Sequence, residues 1–190
     1  MITTPGPALA AVFVGGKGRR MGGVAKGLLR EPDGERTLVA RARDTLEACG
    51  LDVVLVGQSD AYGIPTLADA TPDGGPLAGL VAALRRANGR DLIAVACDMP
   101  YFTEPLVRRL VEAPHEDADA VAPRRDGRFE PLFARYAAAC LPVAERRLAG
   151  ERRSLLGLLD AVRTVPLALS AEESALLDDW DTEADVTRGR

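Results

Sequence analysis

Mainly apolar runs recur along the chain at 9–14, 52–57, 91–97 and 119–122, with a briefer one at 64–67. Runs of this length, bounded by Gly, Asp or charged residues, predict strands covered on both faces. Between them the apolar spacing changes to that of helices. In 37–49, Leu38, Ala42, Leu46 and Cys49 share one face, and Gly50 follows as a stop. The stretches 76–87 and 103–112 read the same way, the second opened by Thr103 with Pro105 just inside. Strands alternating with helices imply right-handed crossovers, and so a three-layer, Rossmann-like α/β fold with a mostly parallel central sheet. Past Pro123 the pattern predicts a charged turn at 124–128, a strand at 129–136, a helix at 154–162 and a strand at 163–169. No linker, repeat or low-complexity tract interrupts the chain, so residues 1–190 are expected to form one domain, with 1–7 as a flexible lead-in.

Composition narrows the class. With 190 residues, 47% of them hydrophobic, the chain can bury one sizeable core. A net charge of −4 argues against a general nucleic-acid binder, and no run approaches the roughly 20 apolar residues that span a bilayer. The short apolar run at 9–14 follows no basic segment, which is not the pattern of a secretory leader. Cys49, Cys97 and Cys140 are odd in number and far apart, matching neither a disulfide framework nor a zinc site, so a reducing cytoplasm is expected. Charge is unevenly spread. Lys17, Arg19, Arg20, Lys26 and Arg30 all precede the first acidic residue, Glu31, leaving 19 basic against 28 acidic residues in the rest.

That early charge coincides with the segment VGGKGRRMGGVAK at 14–26, which packs five glycines and four cations behind the first predicted strand. In open α/β sheets ligands bind beyond the carboxyl ends of the strands, and glycine lets backbone N–H groups approach an anion. Two common phosphate loops fail on spacing. No Gly-Lys-Ser/Thr window exists for a Walker loop, and Met21 stands where a dinucleotide fingerprint needs its last glycine.

An apolar strand leading into G-G-x-G-x-R-M-G-G-x-x-K-x-L instead resembles the signature loop of the molybdenum cofactor guanylyltransferase family of nucleotidyltransferases. Further landmarks follow in order: DATPDGGPLAGL at 69–80, ACDMP at 96–100, EPLFARY at 130–136, GERRSL at 150–155 and WDTEAD at 180–185. The resemblance covers nearly the whole chain. It implies transfer of GMP from GTP to molybdopterin with release of pyrophosphate and a requirement for Mg2+. It also implies a division into a nucleotide-binding half, about 8–100, and an acceptor-binding half, about 101–190. The expected partners are the two small molecules, with transient contacts to other molybdenum cofactor proteins, as a monomer or weak oligomer.

Attack of one phosphate on another joins two anions, so charge neutralisation and positioning must dominate over any protein nucleophile. The resemblance then assigns roles. Phe13 and Val14 are expected at the nucleotide, the amides near Gly15, Gly16 and Gly18 cradle the triphosphate, and Arg19 or Arg20 together with Lys26 neutralise charge on the leaving pyrophosphate. Asp98, closing the strand at 91–97, is the expected Mg2+ ligand. Asp69 and Gly79 are expected at the nucleotide. Asp179 and Asp181 fall where the family usually carries asparagines; a second metal contact from Asp181 and a plain exposed cap both stay open. Arg124, Arg125, Arg128 and Arg135 are candidates for the acceptor's phosphate. His115 is expected on a surface loop, and Trp180 carries no assignment.

Two positions depart from the family pattern. Ala25 stands where an Asp usually precedes the loop lysine, and Val56, with Gln58 nearby, stands where an asparagine reads the base. Two further readings therefore remain: a sibling transferase using CTP or another nucleotide on molybdopterin or another small acceptor, and a carrier that binds without turnover.

Overall fold

The computed structural model describes residues 8–14, 25–32, 34–57, 60–114, 117–150, 152–180 and 182–188. Its strands are β1 (Leu9–Phe13), β2 (Asp52–Val56), β3 (Thr66–Leu67), β4 (Leu92–Ala96), β5 (Ala120–Arg125), β6 (Arg128–Phe129), β7 (Phe133–Tyr136) and β8 (Thr164–Leu167). The helices are α1 (Leu38–Ala48), α2 (Pro76–Ala87), α3 (Glu104–Glu112), α4 (Cys140–Ala149), α5 (Leu155–Ala161), α6 (Ala171–Ala175) and α7 (Glu183–Arg188), with short 3-10 turns at Lys26–Leu28 and Asp60–Tyr62.

The strand order is β3-β2-β1-β4-β7-β5, with β8 beside β5 and β6 closing a hairpin on its end. β1 to β4 run parallel, whereas β7 is antiparallel to both β4 and β5. β5 and β8 thus point the same way as β4, and the sheet is mostly parallel as expected.

Burial explains the apolar runs. Every residue of β1 and β4 is buried. Leu9, Ala11 and Phe13 face the layer of α2, α4 and α5, while Ala10 and Val12 face α1 and α3. A strand covered on both sides cannot alternate with polar residues. The predicted strand at 129–136 is in fact two: Glu130 donates its N–H to Pro123 O, Pro131 has no N–H to give, and the chain turns there before β7. No helix among the described residues is long and apolar enough to cross a membrane.

Candidate functional site

β1, β2 and β4 end level with one another, because Phe13 registers with Val56 on one side and Ala96 on the other. Val14 then donates its N–H to Val56 O at 2.9 Å, and Cys97 donates to Phe13 O at 3.1 Å. The residues just past these strands therefore share one edge. There Lys26 Nζ meets Asp98 Oδ2 at 2.8 Å, across 72 residues of sequence, with the two side chains 20% and 21% exposed. The pair faces solvent enough to admit a ligand. Cys97, directly before Asp98, is buried, and burial pushes its thiol up to about 12, which keeps it inert.

Phe13 and Val14 turn their side chains into the core, at 7% exposure each, so only their backbone faces this edge. Asp69 lies between β3 and α2, half-buried, and burial alone raises its pKa above the ordinary value. It approaches α2 at a glycine for a reason. A Cβ on Gly79 would lie 2.8 Å from Val56 Cγ1, 3.1 Å from Phe13 Cε1 and 3.1 Å from Asp69 Oδ1, so only glycine lets the helix close on this edge. Among the expected site residues the structure thus brings together Phe13, Val14, Lys26, Asp69, Gly79 and Asp98. Gly15, Gly16, Gly18, Arg19, Arg20, Asp181, Gln58 and His115 lie outside the described residues.

Val56 is 1% exposed, with its side chain between β2 and α2, so its side chain offers a base neither a polar group nor access. Ala25 caps the Lys26 turn with no side-chain hydrogen bond. Trp180 proves structural: its side chain is 2% exposed, its indole N–H donates to Tyr101 Oη at 3.1 Å, and the two rings meet edge-on. Its backbone N–H donates to Asp98 O at 2.8 Å, which brings the exposed Asp179 back to the site. Thr182 and Asp185, the end of the same motif, exchange hydrogen bonds at the start of α7.

The arginines expected on the acceptor side divide. Arg128 is exposed, and Arg124 lies over the Phe129 ring at 4.5 Å. Arg125 is held by Leu177 O, Asp178 and Glu130. Arg135 is a correction. Antiparallel β7 sets it opposite Ile93, near the start of β4, where its buried guanidinium holds Val111 O and Ala113 O at the end of α3. Sequence reasoning also passed over Glu130 and Tyr62. Burial raises the Glu130 pKa despite Arg125, with Asp179 and Asp98 adding to the rise; its place inside EPLFARY was the signal. Tyr62 sits in a connection without periodicity, and nothing in the pattern marked it.

A family profile described as MobA-like NTP transferase domain matches residues 10–165. The chain belongs to this family. A protein named molybdenum cofactor guanylyltransferase from Pseudomonas putida is 32% identical over 155 residues, covering 78% of this chain and 80% of its own. Another of that name from Pseudomonas entomophila is 31% identical, covering 87% and 89%. The solved structure of molybdopterin-guanine dinucleotide biosynthesis protein A from Archaeoglobus fulgidus aligns with a TM-score of 0.78 over 95% of both chains; at 24% identity the likeness is one of fold. In this MobA-like transferase, the conjunction of a cation, a carboxylate and close-packed glycine at one sheet edge suits a nucleotide polyphosphate. The cation can meet phosphate oxygens, and the carboxylate can meet a divalent cation.

Proposed function

We propose that the protein is a molybdenum cofactor guanylyltransferase, moving GMP from GTP to molybdopterin with release of pyrophosphate. The Lys26–Asp98 contact at the carboxyl edge carries this reading, in a chain about one-third identical to proteins of that name. Asp98 would hold Mg2+. Among the described residues no group of three or more His, Cys, Asp or Glu is arranged to hold a metal unaided. One accessible carboxylate suits an ion that takes its remaining ligands from phosphate oxygens and water. Bound there, Mg2+ would supply positive charge to the phosphate oxygens as the leaving pyrophosphate departs.

The chain's own groups would do the rest. Lys26 would leave Asp98 for the phosphates, neutralising charge that grows there, with Arg20 or Arg19 beside it. Asp69 is an acceptor only, and the Watson–Crick edge of guanine offers two adjacent N–H donors. The acceptor would lie over residues of the half 101–190. Leu148, near the end of α4, comes within 3.1 Å of where a Gly74 Cβ would be, so α4 ends beside the start of α2, and the exposed Arg152 and Arg153 follow it in the chain. Those two, with Arg124 and Arg128, are the cations for the acceptor's phosphate. The thiols of Cys49, Cys97 and Cys140 are free, in keeping with a reducing compartment.

The buried Val56 favours testing CTP beside GTP, since that position reads no base. Thermal unfolding with GTP, CTP, ATP and UTP, with and without Mg2+, makes the comparison. Ligand at about 100 times its dissociation constant adds about 2.7 kcal/mol, a shift of several degrees. The guanylyltransferase reading expects a shift led by GTP with Mg2+, GMP transfer to molybdopterin, and at least about a 100-fold loss of transfer in Asp98→Ala. A shift led by CTP would replace it with the cytidylyl reading, and binding without transfer would leave the carrier.

A further inference from the structure

Lys26 belongs to a single 3-10 turn, Lys26–Leu28, whose internal bonds are few: Leu28 N–H to Ala25 O and Leu29 N–H to Lys26 O. The Gly27 N–H finds no partner inside a turn this short, and Ala25 offers no side-chain cap. Something outside must hold the turn. Tyr62, from the connection between β2 and β3, lies against it. A Cβ on Gly27 would be 2.8 Å from Tyr62 Cε1 and 3.0 Å from its hydroxyl oxygen, so the ring rests on bare backbone. The Tyr62 O–H donates to Val14 O at 3.4 Å, and the Gly27 N–H is directed at the Tyr62 hydroxyl oxygen itself. Burial, with Cys97 and Asp98 nearby, holds the phenol up at about 12, so it keeps the proton it donates.

We propose that Tyr62 is a positioning residue for nucleotidyl transfer: its hydroxyl joins the end of β1 to the Lys26 turn and its ring seats Gly27. Lys26 is thereby held within reach of Asp98 and of the incoming phosphates. The inference rests on the reading of Lys26 as the phosphate-neutralising cation. Tyr62 touches no reacting atom itself. Its contribution is to make one placement of a flexible side chain's backbone prevail, where small displacements cost large factors in rate.

The test is a double-mutant cycle in the full chain, with GTP, Mg2+ and molybdopterin. Tyr62→Phe keeps the ring and removes the bridge. It is expected to melt cooperatively close to the wild type while kcat falls about tenfold. Lys26→Ala falls further, and the double variant is expected to be no slower than Lys26→Ala alone, because the hydroxyl acts through the lysine. Wild-type kcat in Tyr62→Phe, or losses that multiply in the double variant, would overturn the proposal. If the wild type transfers nothing, the functional reading fails on its own. The same cycle, run on the affinity for inorganic triphosphate, then decides Tyr62: non-additive weakening supports it, and an unchanged or additive affinity sinks it.

Discussion

Burial works against ionisation at the Asp69 side chain. Its carboxyl is half-buried, and desolvation raises the pKa above the ordinary 3.8. Below the ordinary value the group is protonated in both the folded and unfolded chain, and no penalty arises. As pH climbs toward the raised value, the unfolded chain ionises first and folding loses stability; above that value the loss is constant. Asp69→Asn carries no such penalty. The two proteins should therefore unfold at similar urea concentrations near pH 3 and separate as pH rises, with Asp69→Asn the more stable near pH 7. On the proposed reading, affinity for MgGTP should fall in the same variant, since Asn puts a donor NH2 where one of the two carboxylate oxygens stood. Equal urea midpoints at both pH values would show that burial is not what shapes Asp69.

Among the elements, α2 positions the most chemistry. Its Gly79 faces Val56, Phe13 and Asp69 at once. Gly79→Ala gains about 1 kcal/mol of helix propensity but must overpack two buried core side chains, at a cost of about 1–3 kcal/mol. A net loss of about 1 kcal/mol, read as a melting midpoint lower by about 2–4 °C, is expected, together with weaker MgGTP binding as Asp69 is displaced. An unchanged midpoint and affinity would mean the strands can yield. Elements also differ in how plainly the chain announces them. β1 and β4 were legible because both faces are buried, α1 and α3 because their apolar stripes are regular, and α2 because Pro76 opens a long apolar run. α4 was not, because Pro142 sits in its first turn and alanines blur its stripe. The reversed direction of β7 was invisible, since all four of its residues are buried and burial has no direction. That reversal is why Arg135 points away from the site. Lys26 and Asp98 were found because each closes a local motif, whereas Tyr62 matters only once the β2–β3 connection folds back over Gly27.

At the scale of the whole molecule, charge is distributed to suit a small polyanion. The net charge of −4 conceals a segment before Glu31 holding five cations and no acid, followed by a body with 19 basic and 28 acidic residues. Such a body repels long polyanions, while on the proposed reading the basic segment draws a nucleotide toward Lys26. Attraction of this kind acts over the Debye length, about 30 Å at 0.01 M salt and about 8 Å at 0.15 M. Raising the ionic strength across that range should lower kcat/KM for MgGTP several-fold. On the proposed reading it should leave kcat nearly constant, because Lys26 and Asp98 would meet the bound nucleotide at contact distance, where salt screens little. A kcat/KM indifferent to salt would show that the basic segment acts only after binding. A kcat that falls in parallel would place its work in the transfer step itself, beside Lys26.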